Sequence, residues 1–437
     1  MSSLRIWFLS SLLLGCLTYN ALQAQTLTVS PYSRYAIGDI FNGATARNAA
    51  MGGIGIASDN YFSLNFLNPA GYADLIFTTM DVAAFGQLTQ VNTATQDANQ
   101  FTGGFQNLAF GFPPNKGPKL AFGFTPYSTV GYDVLDRRNR FLQDTIFTQE
   151  TNYRGEGGLN QLFIGTGGAL FKKKLRLGAN AFFRFGNTRY EWENRLLQGD
   201  SLTATTPIFQ GNSVTEDLYV TAFATQLGLI YQDTLNRTKQ ILMRVGGTAE
   251  FTLSSSADRF TVFNNGFVED SLSGREFGDI VFPAKFGGGL TINRPGYWSV
   301  GADFTYQDWS QFSAFDEPGG LNSEWRAAIG GEFAPDPQAF KYLKRTKYRA
   351  GAYYQQSYLQ FTDEPVLDYG VTLGIGLPSG LKGNNRFNRG RAASRINIAV
   401  ELGRRGNNTT LPLQELYARF RLGVNINDTW FIKRVVD

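Results

Sequence analysis

Two groups of residues in this 437-residue chain are placed to do work, and neither is a set for making bonds. The first is a series of charged side chains on alternate positions of otherwise apolar stretches: Arg176, Arg184, Arg244, Glu250, Glu332, Glu401, Arg419 and Arg421. Ionised groups in such settings either pair with one another or hold an oppositely charged headgroup, for instance a carboxylate. The second is Gly52, Gly53 and Gly55 followed by Asn68-Pro69-Ala70. Glycine lets backbone approach closely, and proline fixes its own φ while pushing the preceding residue towards extended backbone.

The usual catalytic residues are missing. With no histidine there is no Ser-His or Cys-His nucleophile and no imidazole metal ligand. A single cysteine, Cys16, excludes a disulfide framework and Cys-type zinc sites. Gly287-Gly288-Gly289 and the Gly52 run lack the strand-turn-helix setting of a phosphate loop. No catalytic residue, metal or cofactor is therefore expected. The net charge of +4, from 40 bases against 36 acids, argues against nucleic acid.

The charged positions sit on strands. Leu175, Leu177, Ala179, Ala181, Phe183 and Phe185 alternate with Arg176, Gly178, Asn180, Phe182 and Arg184, and the same period recurs in 241–253, 395–402 and 418–426. An apolar face opposite one of Arg, Glu, Asn and Gly suits a barrel with lipid outside and a polar lumen. The alternative, a soluble antiparallel sandwich, seldom needs so many long strands and would carry more lysine on its polar face. Only 17% of residues are charged, against roughly 25% in soluble domains. Tyr190, Trp192, Trp298, Trp309 and Trp325 are expected in interfacial girdles.

Residues 1–24 read as an export signal, with Arg5 before a short apolar core and Ala21 to Ala24 around a cleavage point. Leu13-Leu14-Gly15-Cys16 also resembles a lipoprotein box, so Cys16 as a lipidated first residue stays open. Beyond the signal no apolar run is long enough for a spanning helix. The fold class is all-β: a transmembrane antiparallel barrel of about 14 strands across residues 77–427. A count of sixteen strands also stays open.

Connections give an independent check, since such barrels have short periplasmic turns and longer outer loops. Lys172-Lys173-Lys174 and Arg294-Pro295-Gly296 read as tight turns; 136–157, 198–213 and 265–281 read as long outer loops. An even strand total places the tail at 428–437 in the periplasm, and charge gives a second check: the periplasmic connections and the tail are mainly basic, the outer loops mainly acidic.

Residues 25–76 do not alternate. They are rich in small residues, cannot close a core alone and are best placed inside the lumen. Met51-Gly52-Gly53-Ile54-Gly55-Ile56-Ala57, then Asn68-Pro69-Ala70, directly before a barrel, resembles the FadL/TodX family of outer-membrane transporters. The Ser30-Pro31-Tyr32-Ser33-Arg34-Tyr35 opening, Gly376-Leu377-Pro378 and the ending from Asp428 to Arg434 are similar to its Bacteroidota branch.

The resemblance implies a fourteen-stranded barrel with an N-terminal hatch, carrying long-chain fatty acids or other hydrophobic compounds. Passage would be lateral, through an opening in the wall. It makes Gly52, Gly53, Gly55, Asn68, Pro69 and Ala70 the hatch and gating residues. Outer hydrophobic contacts would be Phe101, Phe105, Phe141, Phe147, Phe209, Phe263 and Phe267. Expected partners are outer-membrane lipid and hydrophobic small molecules, with a monomeric barrel. The same barrel type also occurs as PorV-like proteins of type IX secretion and gliding systems, which implies protein partners instead.

Overall fold

The computed structural model describes residues 28–428 except 60, 94–95, 115, 143–144, 200–205, 266–268, 340, 362 and 380–393. The export signal with Cys16, and the tail from residue 429, lie outside the described residues. Fourteen antiparallel wall strands close into a barrel. They are β1 (Thr78–Thr93), β2 (Asp97–Phe112), β3 (Lys119–Pro126 and Ser128–Leu142), β4 (Thr145–Leu170) and β5 (Leu175–Gln198). Then come β6 (Thr206–Asn236), β7 (Ile241–Asn264), β8 (Glu269–Gly278 and Lys285–Arg294), β9 (Trp298–Asp308) and β10 (Ser323–Phe333). The last four are β11 (Lys347–Phe361), β12 (Glu364–Pro378), β13 (Arg395–Gly406) and β14 (Leu413–Asp428). The ring shuts where β14 pairs with β1, from Thr78 opposite Asp428 to Thr93 opposite Leu413.

The alternation sets which face meets lipid. On β5, Leu177 is exposed while Arg176 and Arg184 are buried; on β7, Val245 is exposed and Arg244 buried. This outward apolar band on a closed barrel places the protein in the bacterial outer membrane. Four rings form an outer belt, Phe304 to Trp325, Trp325 to Tyr354 and Tyr354 to Tyr369, with centroids 6.2, 5.6 and 6.1 Å apart.

Two expectations are corrected. The segments read as long outer loops at 136–157, 198–213 and 265–281 are largely strand: β3 runs to Leu142 and β4 starts at Thr145. These strands continue beyond the apolar band, so their outward faces carry charge and lose the alternation that marks strands in lipid. Tyr190 and Trp192 do not girdle the wall but line a cavity of about 270 Å³ at the outer end of the barrel. Trp309 is fully buried, 4.9 Å from the Tyr358 ring, in a 3-10 helix that Asp308 caps and turns inward.

Residues 46–75 run around the inside of the wall. Ala46 meets Gly423 of β14, Ala50 meets Gly374 of β12, and Met51 with Gly52 meets Gly351 of β11 and Gly330 of β10. Ile54 meets Gly301 of β9, and Ile56 meets Gly287 and Gly289 of β8 and Gly246 of β7. A second arc sets Asn68 and Pro69 against Gly228 of β6 and Gly178 of β5, then Pro69 and Tyr72 against Gly167 of β4. Leu64 and Leu75 close it at Gly111 of β2. On β13, β1 and β3 the buried small residues are Ala399, Ala83 and Ala121. The lining chain lies so near that a Cβ on Gly351, Gly330, Gly246, Gly178 or Gly167 would overlap its backbone, and on the others would meet its side chains. Gly52 and Gly53 turn with φ of +69° and +84°, a region that glycine enters at no steric cost.

A side chain at this contact should fail for want of space. Gly330→Val would place carbon on the Met51 carbonyl, whereas Gly288→Ala adds a methyl that meets nothing within 4 Å. Overpacking costs about 1–3 kcal/mol. The expected result is a lowered midpoint of heat-modifiable mobility for Gly330→Val and an unchanged one for Gly288→Ala.

Candidate functional site

The wall has a break between β2 and β3. β3 pairs with β2 only from Phe112 opposite Leu120 to Leu108 opposite Phe124. Above that, β2 keeps its pairing with β1 but has no strand partner on the β3 side among the described residues. Pro126 ends the first piece of β3, as a residue without an N–H must inside a sheet. Across the ladder, Gly157 and Gly158 of β4 adopt φ of +107° and +145°, and the Tyr127 N–H donates to the Leu159 carbonyl at 2.8 Å. The strand therefore bends away at Tyr127 and leaves a window.

Phenylalanines rim the window on the lipid side. Phe101 is 66% exposed, and Phe105 lies 5.7 Å from Phe124. Behind them is a cavity of about 90 Å³ that includes Phe41, Phe66, Phe85, Gln106, Arg419 and Arg421. It shares Phe41, Asn42, Gly43 and Phe66 with a second cavity of about 110 Å³, which reaches Phe163, Phe182, Arg184, Lys285 and Arg326. One side of this space is aromatic and the other is charged.

The floor is the lining chain, held by polar contacts at several points. Asp303 accepts from the N–H groups of Gly55 and Ile56 at 2.6 and 2.8 Å. The Gly52 N–H donates to Thr372 Oγ1 at 2.7 Å, and Arg326 donates to the Gly52 carbonyl at 2.8 Å. Asn68 caps the 3-10 helix Pro69–Asp74 by accepting from the Ala70 N–H, while its amide donates to the Ile56 carbonyl at 2.7 Å. Asp74 receives Arg176 of β5 at 2.5 Å and Arg244 of β7 at 2.6 Å, all three side chains being buried. Arg47 bridges Asp59 and Glu332. Burial alone would raise the Asp59 carboxyl, but the charges of Arg47 and Lys347 outweigh it and hold the group below the usual range.

The roof is residues 28–41. Ser30 donates to Glu415, Tyr32 donates to the Leu413 carbonyl at 2.6 Å, and Arg405 pairs with Asp39 at 2.7 Å. Tyr32 and Ile37 pack in one apolar cluster with Phe282, Trp309, Phe312 and Tyr358.

Of the charged residues singled out in the sequence, Arg176 and Arg244 hold Asp74, Arg184 pairs with Glu250, and Glu401 takes both Arg419 and Arg421. Sequence reasoning missed Lys285 and Arg326, the cations of the second cavity that form no ion pair among the described residues. Lys285 stands next to the glycine run at 287–289, a signal that was visible but not used. Phe101 and Phe105 rim the window. Phe147 and Phe263 are half-buried on the long hairpins, opposite Gln198 and Val214. The side chains of Phe141 and Phe209, and Phe267 altogether, lie outside the described residues.

Asp74→Ala would leave two buried guanidinium groups without a counter-charge, a loss of about 3–5 kcal/mol. The expected outcome is a lower melting midpoint and a raised conductance in planar bilayers, as the chain from Pro69 to Asp74 loosens from the wall. Unchanged values of both would show that this segment is held without the carboxylate.

The fold recurs in solved structures at low identity. The toluene transporter TodX of P. putida superposes with a TM-score of 0.57 at 16% identity, covering 90% of this chain and 100% of TodX. The toluene transporter TbuX of Ralstonia pickettii gives 0.53 at 14% identity, covering 89% and 99%. A FadL homologue of Pseudomonas aeruginosa gives 0.54 at 12%, again covering 89% and 99%. No curated protein sequence matches. A family model described as BamG matches residues 9–437, nearly the whole chain, and the protein belongs to that family.

Proposed function

We propose that the protein passes small hydrophobic compounds through the wall window between β2 and β3, with residues 25–76 serving as a hatch that closes the axial path. The observation that carries this reading is the strand break itself, rimmed by Phe101 and Phe105 and backed by two contiguous cavities. TodX and TbuX, whose barrels this one resembles, are toluene transporters. The cavities measure about 90 and 110 Å³, whereas sites for drug-sized ligands span roughly 300–1,000 Å³ and about 150 Å³ holds benzene. A few methylenes suit either space, and a single aromatic ring requires the two joined. A longer acyl chain requires both at once, with Asn42 and Gly43 moved aside.

Lys285 and Arg326 suit a solute with an anionic end, and a charge-assisted hydrogen bond is worth about 1.5–3 kcal/mol. A second reading, a PorV-like barrel that binds partner proteins, draws support from the tall strands that rise past the lipid-facing band on one side.

Uptake separates the alternatives. A deletion strain carrying the wild-type gene should regain uptake of toluene or a long-chain fatty acid. Gln106→Trp, which fills the space behind the window, should return uptake to the deletion level. Lys285→Met should lower fatty-acid uptake while sparing toluene. If deletion changes the uptake of no apolar solute, the transport reading fails.

A further inference from the structure

On β4, β5, β6 and β7 the lipid-facing band reaches Leu162, Phe183, Phe223 and Leu253 at one level in the ladder, with Phe185 one rung beyond it. Past that level the outward faces carry ion pairs, among them Arg154 with Asp133, Arg189 with Asp217 and Arg137 with Glu150. From Phe185 to Gln198 the strand rises about 40 Å along its length, at roughly 3.4 Å per residue. The upper parts of β3 to β8 thus form a six-stranded sheet in water outside the membrane.

This sheet has two edges, treated differently. The upper piece of β8 is bulged twice, between Ser271 and Ser273 and between Ser273 and Glu276, a device that blunts an edge. The upper piece of β3, Ser128–Leu142, has no bulge against β4 and no proline. The chain itself begins to cover it. Asp39 and Ile40 pair as a strand with Thr129 and Ser128, and Ser33 Oγ accepts from the Gly131 N–H at 3.0 Å and donates to its carbonyl at 3.3 Å. Because those groups of Gly131 point away from β4, the pleat aims those of Asp133, Leu135 and Arg137 the same way. Nothing among the described residues pairs with them. Leu135 is 51% exposed beside them, and the neighbouring arginines Arg137 and Arg138 are neutralised by Glu150 and Asp136.

We infer that the β3 edge at Asp133–Arg137 binds an extended segment of another exported polypeptide, which adds as a strand and continues the row begun by Asp39–Ile40 and Ser33. Backbone donors and acceptors in register specify an extended peptide rather than a lipid or a small solute. Leu135 adds a requirement for an apolar side chain beside it. The inference deepens the partner-binding reading and is independent of transport.

The test uses the full-length barrel in nanodiscs and a fluorescent ten-residue peptide of alternating threonine and valine with a central leucine. Anisotropy should report binding, and N-methylation of alternate peptide amides should abolish it. Leu135→Pro removes one edge N–H at a position where an edge strand tolerates proline, and should weaken binding at least tenfold. Hydrogen exchange on the wild-type barrel provides a readout that needs no variant: bound peptide should slow the amides of Asp133, Leu135 and Arg137 and leave the β4 partners unchanged. Equal binding by the N-methylated peptide, or no protection of those three amides, would overturn the inference. Failure here alongside normal solute uptake would remove the partner site and leave the transport reading standing.

Discussion

Everything inside this barrel depends on how near residues 46–75 come to the wall. A β-barrel of fourteen strands is too wide for its own side chains to fill. Here the space is closed by a second course of chain laid directly on the backbone of the first. Glycine at the inward positions of β4 to β12, with β2 and β14, removes the methyl groups that would hold the two apart. The lining chain visits the strands in spatial order, from β14 to β7 and then from β6 to β2, and meets inward glycines on eleven of the fourteen. Close packing over that length gains dispersion energy that a side-chain-filled interface of the same span would have to reach with larger residues.

Polar contacts then hold that ring in place. In a space shielded from water, an unpaired carboxylate or guanidinium is costly, so each buried charge carries a partner and each partner ties two elements together. Asp74 ties the lining chain to β5 and β7; Glu332 ties Arg47 to β11 through Lys347 and Arg349. Asp303 does the same with backbone N–H groups in place of a cation. The aromatic half of the lumen, around Phe66, Phe163 and Phe182, is where such ties are sparse and where the cavities lie.

The barrel was legible because lipid demands a strict alternation: Leu177 against Arg176, or Val245 against Arg244, states the face directly. That rule stops at the membrane boundary, which is why the strand within 136–157, 198–213 and 265–281 read as loop. Trp309 looked like an interface anchor because composition cannot tell a girdle from an inward turn. The window was marked by Pro126 in mid-strand, a cue whose meaning depends on Gly157 and Gly158, distant in sequence and adjacent in the ladder. The pairing of Glu401 with Arg419 and Arg421 follows from strand adjacency alone. Asp74 gave no such sign, since its partners Arg176 and Arg244 are more than a hundred residues away.

The same energetics bear on the route proposed for a solute. An axial path must displace the roof at Tyr32, Asp39 and Arg405 and then the floor at Asp74, Glu332 and Asp303. Stripping a partner from one buried charge already costs about 3–5 kcal/mol, and the floor holds several such sites. Clearing it would exceed a large part of the roughly 5–15 kcal/mol by which folded proteins are stable. Moving between the cavities and the window asks only for rotation of aromatic side chains such as Phe41, Phe85 and Phe105, and shifts of Asn42 and Gly43, none of which anchors a charge. The proposed lateral path is therefore the cheaper of the two, because the lining chain is bonded to the wall on almost every side except the one where β3 turns away.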